Sequence, residues 1–134
     1  MLEQCLKEII PNPINKFKQL KDEQKWYFVD DWRKDTRGEM CLYYVVGNNQ
    51  PKRVVISEVK ELLRNCLTRR QITRNDFGAY CHTSNSDGYC AFAVTGRMLE
   101  HLCIARYVGG NDGFKIINKS LARAVIGNDN EDSN

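Results

Sequence analysis

Apolar positions recur along the chain at two spacings, and the switches between them mark the expected elements. Leu2, Leu6, Ile9 and Ile10 share one helical face, which predicts a short helix over residues 2–10, ended by Pro11 and Pro13. Ile14, Phe17 and Leu20 continue a partial helical spacing with lysines between them, predicting a second helical stretch from about Asn15. Trp26, Tyr27, Phe28, Val29 and Trp32 form a dense aromatic segment, expected at helical spacing as the packing face of the N-terminal part. Over residues 40–56 the character changes. MCLYYVV and RVVIS are β-branched and aromatic, and GNNQPK between them has turn composition, so a β-hairpin is expected.

Helical spacing returns with Val59, Leu62, Leu63, Cys66 and Leu67, predicting a helix over 57–67 with Ser57 as N-cap. After the polar link Thr68–Gln71, Thr73 reads as the N-cap of another helix, with Asp76 at the capping-box position and Phe77 and Tyr80 inward. HTSNSDG, residues 82–88, has turn composition. YCAFAVTGRMLEHLCIA then places Val94, Met98 and Leu102 at helical spacing. A strand at 89–94 followed by a helix capped by Thr95 fits the same apolar run. Residues 105–117 predict a second hairpin, ARYV and GFKII around GGND, with Gly109 and Gly110 supplying positive φ. A last helix over 118–126 is stopped by Gly127, and the acidic tail 128–134 is expected to be disordered.

Composition adds bounds. At 134 residues, 42% hydrophobic and 28% charged, the chain fits one globular unit with a core. Its longest uncharged apolar runs fall far short of the roughly 18 residues of a membrane span. MLEQCLKEII carries Glu3 and Glu8 and no leader-like apolar stretch, so a cytoplasmic, reducing location is expected. The six cysteines sit mostly in apolar runs and are expected as free, buried thiols. A zinc site from Cys81-His82, Cys90 and His101-x-Cys103 is the sharper alternative, but no C-x-x-C or H-x₃₋₅-H pair supports it, and no metal or cofactor is expected.

Charge is unevenly spread. Residues 1–50 carry eight basic and eight acidic side chains, net zero; residues 51–127 carry twelve and six, net +6; residues 128–134 carry three acids, net −3. A basic middle and C-terminal part is compatible with a polyanion partner.

From Ser57 the expected order is helix, helix, turn, helix, β-hairpin, short helix. SEVKELLRNC is the first helix, TRNDFGAYC the second, SDGYCAFAVTGRMLEHLCIA the third and ARYVGGNDGFKII the hairpin. This order resembles the winged helix-turn-helix superfamily, with the hairpin as the wing. The resemblance covers about half the chain and is one of element order. HTSNSDG departs from it as a longer link than a tight helix-turn-helix uses, and Tyr89–Ala93 places apolar residues where base-reading side chains belong.

The expected architecture is therefore α+β: an N-terminal helical arm and hairpin, 1–56, supporting a winged-helix-like domain, 57–127. The resemblance implies a small DNA-binding protein, a transcriptional or mobile-element regulator, with its third helix in the major groove of double-stranded DNA. The candidate nucleic-acid contacts are Ser84, Asn85, Ser86 and Tyr89 near the start of that helix and Arg97 further along. Arg69, Arg70 and Arg74 precede and open the second helix, and Arg106 and Lys115 lie on the wing strands. The N-terminal arm would mediate a homodimer that reads two half-sites.

Two other functions follow from different features. A protein-interaction adaptor on the same fold would use an apolar patch around Trp26–Trp32 or Tyr89–Phe92. A metal-dependent nuclease would use Glu58-Val59-Lys60, which follows Val54–Ile56 much as E-x-K follows a strand in the PD-(D/E)xK nucleases. It would need Asp30, Asp31 or Asp35 as the second carboxylate. No catalytic Walker A, G-x-S-x-G or G-x-G-x-x-G sequence occurs.

Overall fold

Two antiparallel sheets and six α-helices build the protein in a computed structural model that describes residues 1–127. The mixed α+β class expected from the pattern is what the chain forms. The tail 128–134 lies outside the described residues.

Helix α1, Leu2–Ile9, turns Leu2 and Leu6 inward. Four strands follow, β1 Lys16–Lys18, β2 Trp26–Lys34, β3 Met40–Val45 and β4 Lys52–Val55, paired in chain order. The helical stretch expected from Asn15 is therefore corrected to β1. Phe17 is buried between exposed Lys16 and Lys18, a period of two. The aromatic segment 26–32 is likewise strand. Its alternation is interrupted by a bulge between Val29 and Asp31, where Val29 pairs with Tyr44 and Asp31 with Tyr43. The extra residue, Asp30, reverses side-chain parity. Tyr27 and Val29 before it and Trp32 after it thus share the face that carries Leu42 and Tyr44. The Trp32 indole N–H donates to the Ile10 carbonyl at 2.9 Å, tying β2 to the end of α1. The hairpin expected over 40–56 is present as β3 and β4.

Helix α2, Ile56–Cys66, starts directly from β4 with Val55 at the N-cap, so Ser57 lies in its first turn and is not the cap. Strand β5, Gln71–Ile72, leads to α3, Arg74–Tyr80, where the expected Thr73/Asp76 capping box is complete. Phe77 is buried, but Tyr80 is 37% exposed and does not face inward. The expected turn HTSNSDG is a helix, α4, His82–Asp87. Helix α5 runs over Ala91–His101 and excludes a strand at 89–94. Strands β6, Ala105–Gly109, and β7, Gly113–Ile116, form the expected second hairpin, with Gly109 at φ 92° and Gly110 at φ 54°. The second sheet has the order β5-β7-β6. Helix α6, Lys119–Ile126, is capped by the Asn118 side chain and ends at Gly127.

One cluster of buried side chains extends from Leu2 to Ile126. Helix α5 is its axis. It packs on β1 and β4 of the first sheet and on β6 of the second. Eight of its eleven residues are buried, from Ala91 to Gly96 and again at Met98 and Leu99. Phe77, Phe92, Phe114 and Tyr107 continue the core as a chain of edge-to-face and tilted rings 5.2–5.7 Å apart.

Candidate nucleic-acid interface

The second sheet is polar on one face because its strands alternate. On β7, Phe114 and Ile116 point inward and Lys115 outward; on β6, Arg106 and Val108 are exposed. The register pairs Arg106 directly with Lys115, and Lys115 with Gln71 on β5. Three polar side chains therefore form a row across the sheet, and two are cations. Arg70, exposed and at φ 56°, immediately precedes Gln71, and its carbonyl accepts from the Ile116 N–H at 2.9 Å. Among the described residues no carboxylate forms an ion pair with Arg70, Arg106 or Lys115.

The other arginines of the predicted set are engaged. Arg69, before β5, pairs with Asp76 in the first turn of α3, the same carboxylate that completes the Thr73 box. Arg74 donates to the Tyr89 carbonyl at 3.0 Å and lies 3.8 Å above the Tyr89 ring and 4.8 Å from that of Phe92. Arg97 donates to the Lys18 carbonyl and pairs with Glu100 at 2.7 Å and Glu23 at 3.4 Å; its side chain is 11% exposed. It clamps α5 to β1.

Ser84 is buried, so it too is withdrawn from any interface. Its hydroxyl donates to Glu58 at 2.7 Å and accepts from the Val55 N–H at 2.9 Å. Asn85 and Ser86 are exposed on α4, and Tyr89 is 66% exposed beside Arg74. The structure thus separates eight of the ten predicted residues into three groups, with Asn85 and Ser86 apart from them on α4. Arg106 and Lys115 share the sheet face with Gln71, which the sequence reading missed and which pairs with Lys115; exposed Arg70 immediately precedes Gln71. Arg74 and Tyr89 form a second cluster at the opposite side of the hairpin tip. Ser84, Arg97 and Arg69 hold the fold together. Since α5 is covered on two sides, its side chains do not reach a groove while the first sheet is in place.

The carboxylates of the nuclease reading have structural partners as well. Glu58 accepts from the Thr83 N–H at 2.9 Å, the Ser84 N–H at 2.9 Å and the Ser84 hydroxyl, capping α4. Asp30 and Asp31 pair with Arg33. Asp35 has a nearly inaccessible side chain held by Arg37 at 3.2 Å and Arg53 at 3.1 Å. Burial pushes its carboxyl up, but the backbone N–H groups of Glu39 and Arg37 and the Arg37 guanidinium outweigh this and hold it below 3.8. Among the described residues no three His, Cys, Asp or Glu side chains stand together as a metal site. Cys41, Cys66 and Cys81 are buried free thiols, and burial pushes those of Cys41 and Cys66 up to about 11, so they stay protonated at neutral pH. Burial holds the His101 imidazole below its usual 6.5.

Among the described residues no helix is long and apolar enough to cross a membrane. Comparison of the chain with protein-family models, with curated proteins and with solved structures found no match.

Proposed function

We propose that this protein binds double-stranded DNA through the outer face of the β5-β7-β6 sheet, as a winged-helix-like unit that touches the phosphate backbone with its wing. The element order supports the fold part of the reading. Helix α2, strand β5, helices α3 to α5 and the β6–β7 hairpin follow in the succession helix, strand, helices, hairpin, with the first strand pairing to the last. Helix α4 is the inserted element. The reading differs from groove recognition by a helix, because α5 is buried. Binding by the wing alone contacts phosphates and carries little base information.

The observation that carries the reading is the direct opposition of Arg106 and Lys115. Like charges across an antiparallel pair are unfavourable in a free protein. A bound polyanion removes that repulsion; Gln71 extends the same row, and exposed Arg70 precedes it in the chain. Neutralising two or three phosphates predicts a logarithmic salt slope of about −2 to −3.

Fluorescence anisotropy of a labelled duplex, titrated at several salt concentrations, tests it. The double variant Arg106→Gln/Lys115→Gln should reduce the slope by about 2. The charge-matched control Lys25→Gln/Lys34→Gln, in the first sheet and its loop, should leave the slope within about half a unit. An absence of binding at low salt, or an equal loss in both variants, would overturn the proposal.

A further inference from the structure

A second cluster lies where the β6–β7 tip, the start of α3, the turn before α5 and the loop after β1 converge. They line an open cleft of about 650 Å³. That volume lies within the range of small-ligand sites. Its walls are aromatic, with Tyr89, Phe92 and Tyr107 among them; its polar groups include the amides of Asn75 and Asn111; its charged side chains are Arg74 and Lys21, and among the described residues no acidic side chain lines it.

The geometry points to a nucleotide-binding pocket, in which a base stacks on Tyr89 and its phosphate meets Arg74 and Lys21. Tyr89 is the decisive residue. It is 66% exposed, yet two contacts fix it: the Arg74 guanidinium 3.8 Å above its ring and the hydrogen bond from Arg74 to its own carbonyl. An exposed ring held in one orientation offers its remaining surface for stacking at little further ordering cost. Tyr107 is fixed as well. Its N–H donates to Glu100 at 2.9 Å, and its ring packs on Phe114 at 5.2 Å.

The three features select one ligand chemistry. Aromatic walls favour a flat π-system, the amides offer paired donors and acceptors to a base edge, and two cations without a carboxylate favour a phosphate. A neutral sugar would leave the cations unused, and an apolar ligand would bury the amides unpaired. The nucleotide can come from two sources, as a free mononucleotide or as an unpaired unit in a strand. The pocket does not depend on the wing-face reading, since Arg106 and Lys115 lie on the other side of the hairpin and do not line it.

The test is titration of the ¹⁵N-labelled full chain with AMP, GMP, CMP and UMP, with inorganic phosphate, and with a short thymidine oligonucleotide, followed by NMR. The expected result is saturable shifts at Arg74, Asn75, Tyr89 and Asn111 with at least one nucleotide probe. Tyr89→Ala, at an exposed position where folding is preserved, should weaken that binding about 5- to 150-fold. Arg74→Lys, which keeps the charge and loses the planar stack, should also weaken it. Shifts with the oligonucleotide alone identify a strand unit; shifts with mononucleotides identify a free ligand. No saturable shift with any nucleotide probe up to about 10 mM, shifts reproduced by phosphate alone, or binding indifferent to Tyr89→Ala would overturn the inference. The Arg106→Gln/Lys115→Gln variant should bind as the parent does, so failure of the wing reading leaves this one standing.

Discussion

Gly96 shows how one residue can be required by its neighbour and not by its own backbone. It sits in the middle of α5, where glycine costs about 1 kcal/mol relative to alanine. A Cβ there would lie 2.0–2.5 Å from three atoms of the Phe114 ring, so the glycine admits the ring that joins α5 to the second sheet. Gly96→Ala should therefore destabilise the protein by about 1–3 kcal/mol, despite its better helix propensity, as urea denaturation would read. Asp76 makes a different prediction. Burial pushes its carboxyl up, but the Thr73 N–H and hydroxyl and the Arg69 guanidinium hold it net below 3.8. The folded state thus binds fewer protons than the unfolded chain. The stabilisation is fully present above about pH 4 and is lost as pH falls through the folded value. Thermal melts between about pH 2 and pH 6 should show a shallower acid loss in Asp76→Asn than in the parent.

At the scale of elements, what was legible in the sequence was what is locally determined. The Thr73/Asp76 box, the hairpin of β3 and β4, the GGND tip and helix α6, between its caps Asn118 and Gly127, each carry their own start, turn or stop within a few residues. The misread elements depend on distant partners or broken periods. Helix α4 has turn composition because its N-terminal donors are satisfied by Glu58, about 25 residues earlier in the chain. Its Ser84 and Asp87 in turn accept from the Val55 and Arg53 N–H groups, closing the open edge of β4. Strand β2 was hidden by the Asp30 bulge. The candidate site was legible only as a set of cations; which face each occupies came from strand register. The α4 arrangement yields a test. Glu58→Gln should cost about 1–3 kcal/mol of stability, because an amide cannot accept all three hydrogen bonds. It should also speed hydrogen exchange at Arg53 and Val55, measurable by NMR. A Glu58→Gln protein of unchanged stability would reopen the E-x-K reading.

On the scale of the whole molecule, the position of α5 decides between two modes of binding. The sequence suggested an arm, 1–56, attached to a separate winged-helix-like domain, whose third helix would be open to a groove. In the folded chain the arm's apolar residues, among them Leu6, Phe17, Tyr27 and Tyr44, enter the same core cluster as α5. Phe17 also packs against His101 at 5.6 Å, and Arg97 bonds to the β1 backbone. The aromatic face expected to pair two copies is thereby largely used within one chain. Removing residues 1–56 would strip α5 of β1 and β4 and uncover part of its buried surface. We expect the fragment 57–134 to lack a cooperative thermal transition by circular dichroism, while the full chain shows a single one. A fragment that melts cooperatively would mean that the first sheet is a removable cover. The uncovered α5 would then become available to a groove, and tighter DNA binding by the fragment than by the full chain would restore the helix-reading mechanism in place of the wing.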